Sequence, residues 1–112
     1  MKLNEYHRLA DRTSRFADGE HRPMPQRLIC GALGIAGEAG EFADMVKKRE
    51  FHGHTTGSLD LAYELGDVLW YVSECAAALG FTLEEIAQMN IKKLLRRYPE
   101  GFSEEASRER SE

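Results

Sequence analysis

The chain has 112 residues and a mass of 12.7 kDa, and its 15 Lys and Arg against 19 Asp and Glu give a formal net charge of −4 at pH 7. This length allows one hydrophobic core, and 42 % hydrophobic residues with so small a net charge exclude a disordered chain. The acidic pI near 5.6 argues against a module that binds duplex nucleic acid, and no apolar run reaches the roughly 20 residues that span a membrane.

Apolar residues recur at steps of three and four, and no stretch shows the strict alternation of a half-buried strand, which predicts an all-α fold. Four main helices are predicted, and the first three cover residues 4–17, 26–49 and 59–79. The fourth begins at the capping-box pair Thr82 and Glu85 and ends at Tyr98. This pattern is typical of a four- to five-helix, bundle-like domain, which we place at residues 1–102. A polar tail follows at residues 103–112.

The cysteines and the first residues bear on the cellular compartment. Cys30 and Cys75 each lie in an apolar stretch without C-x-x-C spacing, so we expect both to be buried free thiols. The first twelve residues lack the apolar segment of a signal peptide. We therefore expect a cytoplasmic protein without a membrane partner.

Acidic residues border the apolar faces of the second and third predicted helices. Glu38 lies about 40° from Phe42 on a helical wheel, and Glu64 lies about 40° from Val68. With the next acid on each flank they form what we call the acidic cluster: Glu38, Glu41, Glu64 and Asp67. Since the chain holds 19 acidic residues, the three-residue spacing alone decides nothing, and the position beside the core is the informative observation.

Two such helix edges facing each other would gather four carboxylates in a partly desolvated cleft, which is unfavourable unless a cation lies between them. Mg²⁺ prefers oxygen ligands and keeps water molecules that a phosphate can replace, so we expect Mg²⁺, with Mn²⁺ as a substitute. The alternative is that these acids form ion pairs with Lys47, Lys48 or Arg49 on solvated helix faces.

Glycines recur every third residue through the second helix, at Gly31, Gly34, Gly37 and Gly40. Each glycine in a helix interior costs roughly 0.5–1 kcal/mol relative to alanine, so a compensating role is expected. Close approach by another backbone and access for a ligand are the two candidate roles.

Trp70, Tyr63 and Ala77 form a second apolar facet on the third helix, almost opposite its core face. A helix that is apolar on two sides is either central in a fold or contacts another subunit. We interpret this facet as a surface for self-association.

The last main helix carries a polar stripe of Asn90, Lys93 and Arg97 at the edge of its apolar face. Such donors suit phosphate oxygens or sugar hydroxyls. The alternative is that Asn90 is a hydrogen-bonded core amide and that the two cations pair with glutamates of the acidic cluster.

Two segments, Gly34 to Asp44 and Glu64 to Tyr71, resemble the MazG-like branch of the all-α nucleoside triphosphate pyrophosphohydrolases. The signature of that family, E-x-x-E followed by E-x-x-D, matches the acidic cluster. The segment Asn90 to Pro99 is similar to the N-x-x-K region of the family. Some larger relatives have a second glutamate before the first motif, where this chain has Gly37, so the number of bound metal ions stays open.

The resemblance implies an enzyme that binds Mg²⁺ through the acidic cluster and hydrolyses the bond between the α- and β-phosphates of a nucleoside triphosphate. The products would be a nucleoside monophosphate and pyrophosphate. In this hypothesis Glu38 or Glu41 is the catalytic base, and Asn90, Lys93 and Arg97 bind the substrate. The resemblance also implies a homodimer or homotetramer. A non-catalytic nucleotide sensor and a structural helical dimerisation module are the alternative functions.

Overall fold

A computed structural model of the chain describes residues 1–109, which contain five helices and no strand. The helices are α1 (Leu3–Asp11), α2 (Pro25–Phe51), α3 (Ser58–Ala78), α4 (Leu83–Arg97) and α5 (Glu104–Arg108). The prediction of an all-α fold is confirmed. None of these helices is long and apolar enough to cross a membrane.

The central unit of the fold is the antiparallel pair of α2 and α3, which share the most extensive contact between any two helices. Its register is fixed where glycines of α2 meet side chains of α3. A Cβ atom added to Gly31 would lie 2.6 Å from Cys75 Sγ, and one added to Gly34 would lie 2.2 Å from the Tyr71 ring. These two glycines therefore permit close helix packing.

The other two glycines of the series have a different environment. A Cβ atom on Gly37 or Gly40 would meet no heavy atom within 4 Å among the described residues. Close packing therefore accounts for only the first half of the glycine series.

Helix α1 is shorter than predicted, because it ends at Asp11 and turns follow where we expected helix up to residue 17. Thr13 Oγ1 donates a hydrogen bond to the Ala10 carbonyl at 2.7 Å, and Ser14 Oγ accepts one from the Phe16 N–H at 3.1 Å. Hydroxyl side chains that bond the local backbone compete with helical hydrogen bonds, which explains the early end.

A buried ionic cluster, formed by Asp11, Arg27 and Glu74, joins α1, α2 and α3. Arg27 is only 1 % exposed, and its Nη2 donates to the carboxylates of Asp11 and Glu74, the latter at 2.6 Å. The second Glu74 oxygen accepts a hydrogen bond from Ser14 Oγ at 2.7 Å. Both carboxylates of this cluster therefore share one guanidinium inside the chain.

Helix α4 is attached to α1 by a buried histidine. His7 Nδ1 accepts the backbone N–H of Leu83, the first residue of α4, at 2.8 Å. The start of α4 has the predicted capping box, in which the Thr82 and Glu85 side chains each bond the backbone N–H of the other. Local sequence thus sets where α4 begins, and His7 fixes its position against α1.

Two predictions about exposure are wrong. Cys30 is exposed and Cys75 is half-buried, so neither is a fully buried thiol. The second facet of α3 is not a free apolar surface either, because Ala77 is 1 % exposed and Trp70 is half-buried. Only Tyr63, at 71 % exposure, faces solvent as expected. The wheel missed this because α1 packs against α3.

The segment predicted as a polar tail contains α5, whose first turn is capped by Ser103 Oγ accepting the Ala106 N–H at 3.0 Å. Residues 110–112 of that tail lie outside the described residues.

Candidate metal centre

The antiparallel register of α2 and α3 brings the acidic cluster together. Glu38, Glu41 and Glu64 each offer a carboxylate oxygen, and these three oxygens lie within 4.8 Å of one another. Asp67 lies beside Glu38 in the wall of an open cleft of about 310 Å³, which Trp70 and Tyr71 also line. The side chains that the sequence placed on two separate helix edges thus meet at one place.

The like charges of the cluster perturb its members. The pKa of Glu38 is raised, first by a hydrogen bond between its protonated form and Glu64, then by burial and by the negative charges of Glu64 and Asp67. Two carboxylates that share a site disfavour each other's ionised form. The carboxylates of the acidic cluster therefore repel one another when all of them are ionised.

The three cations that could neutralise the cluster from the end of α2 bind other carboxylates. Lys48 and Lys47 pair with Asp44 at 2.8 and 3.4 Å, and Arg49 pairs with Glu50 at 3.4 Å. The alternative that these three cations neutralise the cluster is therefore wrong.

One carboxylate oxygen of the cluster also lacks a hydrogen-bond partner. Glu64 Oε1 is buried, and no donor among the described residues reaches it. A buried polar atom without a partner is destabilising, and a cation bound there would satisfy it. The ligands offered are all carboxylate oxygens, which suit Mg²⁺ or Mn²⁺ and not the nitrogen and sulfur chemistry of a structural zinc site. The donor set fits the predicted metal.

Aromatic side chains form the rest of the site. The Trp70 and Tyr71 rings pack edge to face with centroids 4.9 Å apart. Tyr6 of α1 lies close enough to Asp67 for that negative charge to raise its pKa, although burial is the larger cause. Sequence reasoning did not assign these residues to the site, although Trp70 and Tyr71 follow Asp67 by three and four positions, and thus share its helix face.

The residues of the predicted substrate-binding stripe are not among those that line the cleft beside Asp67. Asn90 is exposed, Lys93 and Arg97 are half-buried, and none of the three lines the cleft beside Asp67. Their helix, α4, packs against α1 and α3. Contact of this stripe with a substrate stays a prediction.

Comparison with known proteins agrees with this geometry. Residues 30–102 match the family model of the MazG nucleotide pyrophosphohydrolase domain. The Gene 37 protein of Mycobacterium phage L5 is 40 % identical over 105 residues, covering 90 % of this chain and 92 % of that protein. No solved structure matches the chain at a significant level. The matched region contains both acidic motifs and the whole of α3 and α4, and the chain belongs to the MazG nucleotide pyrophosphohydrolase family.

Proposed function

We propose that the protein is a cytoplasmic, Mg²⁺-dependent pyrophosphohydrolase that converts nucleoside triphosphates into nucleoside monophosphates and pyrophosphate. Membership of the MazG family supports the reaction class. The observation that carries the proposal is the meeting of three glutamate oxygens within 4.8 Å, at a site where Glu64 Oε1 is buried without a hydrogen bond. A cluster that is unfavourable by itself is expected where a cation and its phosphate ligand complete it.

In this proposal, Glu38, Glu41, Glu64 and Asp67 hold the metal. When bound, Mg²⁺ supplies charge neutralisation and polarises phosphate oxygens. Either Glu38 or Glu41 accepts the proton of the water that attacks the phosphate chain, and the bond between the α- and β-phosphates breaks with pyrophosphate leaving.

The stripe of α4 is the proposed source of positive charge for the substrate. Lys93 and Arg97 would neutralise phosphate oxygens, and Asn90 would orient a phosphate or the ribose. Because these residues do not line the cleft in the single chain, this part requires a movement of α4 or a contribution from a second copy.

The proposal is tested by a panel of ribo- and deoxyribonucleoside triphosphates, each with and without Mg²⁺, scored for monophosphate and pyrophosphate. Release of pyrophosphate only when Mg²⁺ is present supports the proposal. Orthophosphate with a diphosphate product would show cleavage of the wrong bond. Binding without any product would instead identify a nucleotide sensor.

Variants test the metal centre within that panel. Glu38→Gln and Asp67→Asn keep the shape of each side chain and remove its charge, so each is expected to abolish hydrolysis with the fold intact. Glu50→Gln is the matched control, because Glu50 lies on the same helix and pairs with Arg49. Full activity of either site variant in saturating Mg²⁺ would contradict the assignment.

We also propose that the protein works as a homodimer or homotetramer. A single chain exposes 8055 Å², whereas a folded monomer of this mass exposes about 6,200 Å². The excess is larger than the ~800 Å² that each partner buries in an interface of standard size. Large apolar side chains contribute to it, including Leu33 at 69 % and Leu95 at 58 % exposure.

Light scattering coupled to size-exclusion chromatography tests the assembly, with a mass of two or four chains expected. Leu33→Glu would place a charge on the exposed apolar face of α2 and is expected to shift the equilibrium towards smaller species. A wild-type protein that runs as a monomer at all concentrations would contradict the proposal.

A further inference from the structure

Trp70 occupies a position that the metal centre alone does not explain. Its ring lines the cleft together with Glu38, Asp67 and Tyr71. It is half-buried, so part of the indole faces the space beside the carboxylates. The residues that line the cleft are therefore partly charged and partly aromatic.

The orientation of the indole is fixed by two contacts. Trp70 Nε1 donates a hydrogen bond to Thr13 Oγ1 at 2.8 Å, and Thr13 Oγ1 in turn donates to the Ala10 carbonyl at 2.7 Å. On the other side, the Tyr71 ring meets the indole at an interplanar angle of 86°. An aromatic ring held in this way is pre-organised to receive another ring.

Tyr71, the neighbouring aromatic residue, is less accessible to a ligand ring than Trp70. The Tyr71 ring lies against α2 so closely that Gly34 has no room for a Cβ atom. That contact covers one part of Tyr71, and the edge contact with Trp70 covers another. Trp70 is thus the aromatic side chain of the cleft best placed to stack against a ligand.

A nucleotide has two parts that match these two kinds of lining residue. Its phosphates are attracted to a cation held by carboxylates, and its base presents a flat π-face. The only N–H of the indole is already bonded to Thr13, so Trp70 offers stacking without a hydrogen bond to the base.

We propose that Trp70 is the platform on which the base of the nucleotide stacks and that Thr13 is the positioning residue that holds it. This inference rests on the proposed function, since it places the substrate in the cleft of the metal centre. Stacking accepts every base, and its strength grows with ring area, so purine nucleotides bind more tightly than pyrimidine nucleotides at this platform.

Tryptophan fluorescence gives a direct test, because Trp70 is the only tryptophan of the chain. The probes are the non-hydrolysable α,β-methylene analogue of ATP and inorganic tripolyphosphate, both with Mg²⁺. The analogue is expected to quench the emission saturably. Tripolyphosphate is expected to displace the analogue without quenching by itself, because it has no base.

Steady-state kinetics of paired variants separate stacking from structural support. Trp70→Leu is expected to raise the KM for ATP about tenfold or more, with the inhibition constant of tripolyphosphate changed less than twofold. Trp70→Phe keeps an aromatic ring and is expected to retain most of the affinity.

Thr13 is tested through Trp70. Thr13→Val removes the acceptor with little change of shape, and we expect a KM several times higher at unchanged kcat, together with lower emission anisotropy of Trp70. Thr13→Ser keeps the hydroxyl, and its KM and emission anisotropy are expected to equal those of the wild type.

The outcomes distinguish the two proposals. Equal quenching by tripolyphosphate, or unaltered KM in Trp70→Leu, would overturn the stacking role and leave the hydrolase proposal intact. If neither probe binds in the presence of Mg²⁺, the proposed function fails and the stacking role fails with it.

Discussion

Two groups of charged side chains lie along the interface of α2 and α3, and they differ in how their charges are matched. The buried ionic cluster places the Arg27 guanidinium between two carboxylates, and its Nη2 donates a hydrogen bond to each of them within the chain. The acidic cluster, about 10–15 Å away along α3 by helical rise, contains carboxylates only. The first group stabilises the fold, whereas the second leaves an electrostatic demand that a ligand can meet.

The largest effect is expected from Arg27→Met. This change leaves the buried Glu74 and the half-buried Asp11 without their cation, which costs about 3–5 kcal/mol of the free energy of unfolding. Urea unfolding followed by circular dichroism, at one fixed protein concentration, measures it. The control is Arg22→Met, because Arg22 pairs with Asp18 at the surface and such pairs contribute about 0–1 kcal/mol. An equal loss of unfolding free energy in Arg27→Met and Arg22→Met would contradict the structural role of the buried ionic cluster.

Glu64→Gln should have the opposite effect on stability. In metal-free buffer the variant removes a negative charge from the acidic cluster, so its free energy of unfolding is expected to equal or exceed that of the wild type. Its turnover is expected to fall at least about a hundredfold, or 2.7 kcal/mol of barrier. Unfolding in EDTA and a pyrophosphate-release assay measure the two effects. A marked loss of stability would mean that Glu64 belongs to the structural framework.

Mg²⁺ is expected to bind at the acidic cluster and not at the buried ionic cluster, and thereby to stabilise the folded protein. At a free concentration ten times its Kd, a ligand specific for the folded state adds about 1.4 kcal/mol to the free energy of unfolding. Thermal unfolding with and without Mg²⁺ is expected to show this gain in the wild type and in Glu50→Gln. The gain is expected to be absent in Asp67→Asn. Stabilisation of all three proteins by the same amount would locate the cation elsewhere.

The smallest effect concerns His7, which lies beside the buried ionic cluster. Its pKa is lowered by burial, and also by the positive charges of His21 and Arg27. As pH falls below about 6.5, the unfolded chain therefore binds a proton at this residue before the folded chain does, and the free energy of unfolding decreases. Above that pH the contribution of neutral His7 to stability is fully present.

His7→Asn tests this pH dependence, because it keeps an acceptor for the Leu83 N–H and does not titrate. Urea unfolding at pH 7.5, 6.5 and 5.5 is expected to give a shallower decline than in the wild type. His52→Asn, in the exposed loop after α2, is the control and is expected to follow the wild type. A parallel decline in all three proteins would contradict the role of His7.

Local patterns were sufficient to predict α2, α3 and α4 to within about two residues. The capping box at Thr82 begins α4, and apolar residues at steps of three and four identify α2 and α3 as helices. The two acidic pairs could be predicted from helical spacing, because the two acids of each pair lie on one helix. The meeting of the two pairs is a consequence of the antiparallel register of α2 and α3.

Contacts between distant segments account for what the sequence did not reveal. The hydroxyl groups of Thr13 and Ser14, just after α1, also bond to α3 side chains about 60 positions away. Trp70 was assigned to a subunit interface because a helical wheel of α3 does not include the position of α1. The partners of Arg27 come from two other helices, and no spacing rule connects them.

The contact between Gly34 and Tyr71 has a consequence for how the sequence can vary. Because the ring fills the space at the glycine, a shift of α2 by one residue would put Leu33 or Ile35 against the ring and cause a clash. The alignment of the two helices is thus independent of the connection between them, residues 52–57. Insertions or deletions in that loop should leave the distances between the glutamate oxygens unchanged. The length of the loop can therefore differ between relatives that keep the metal centre.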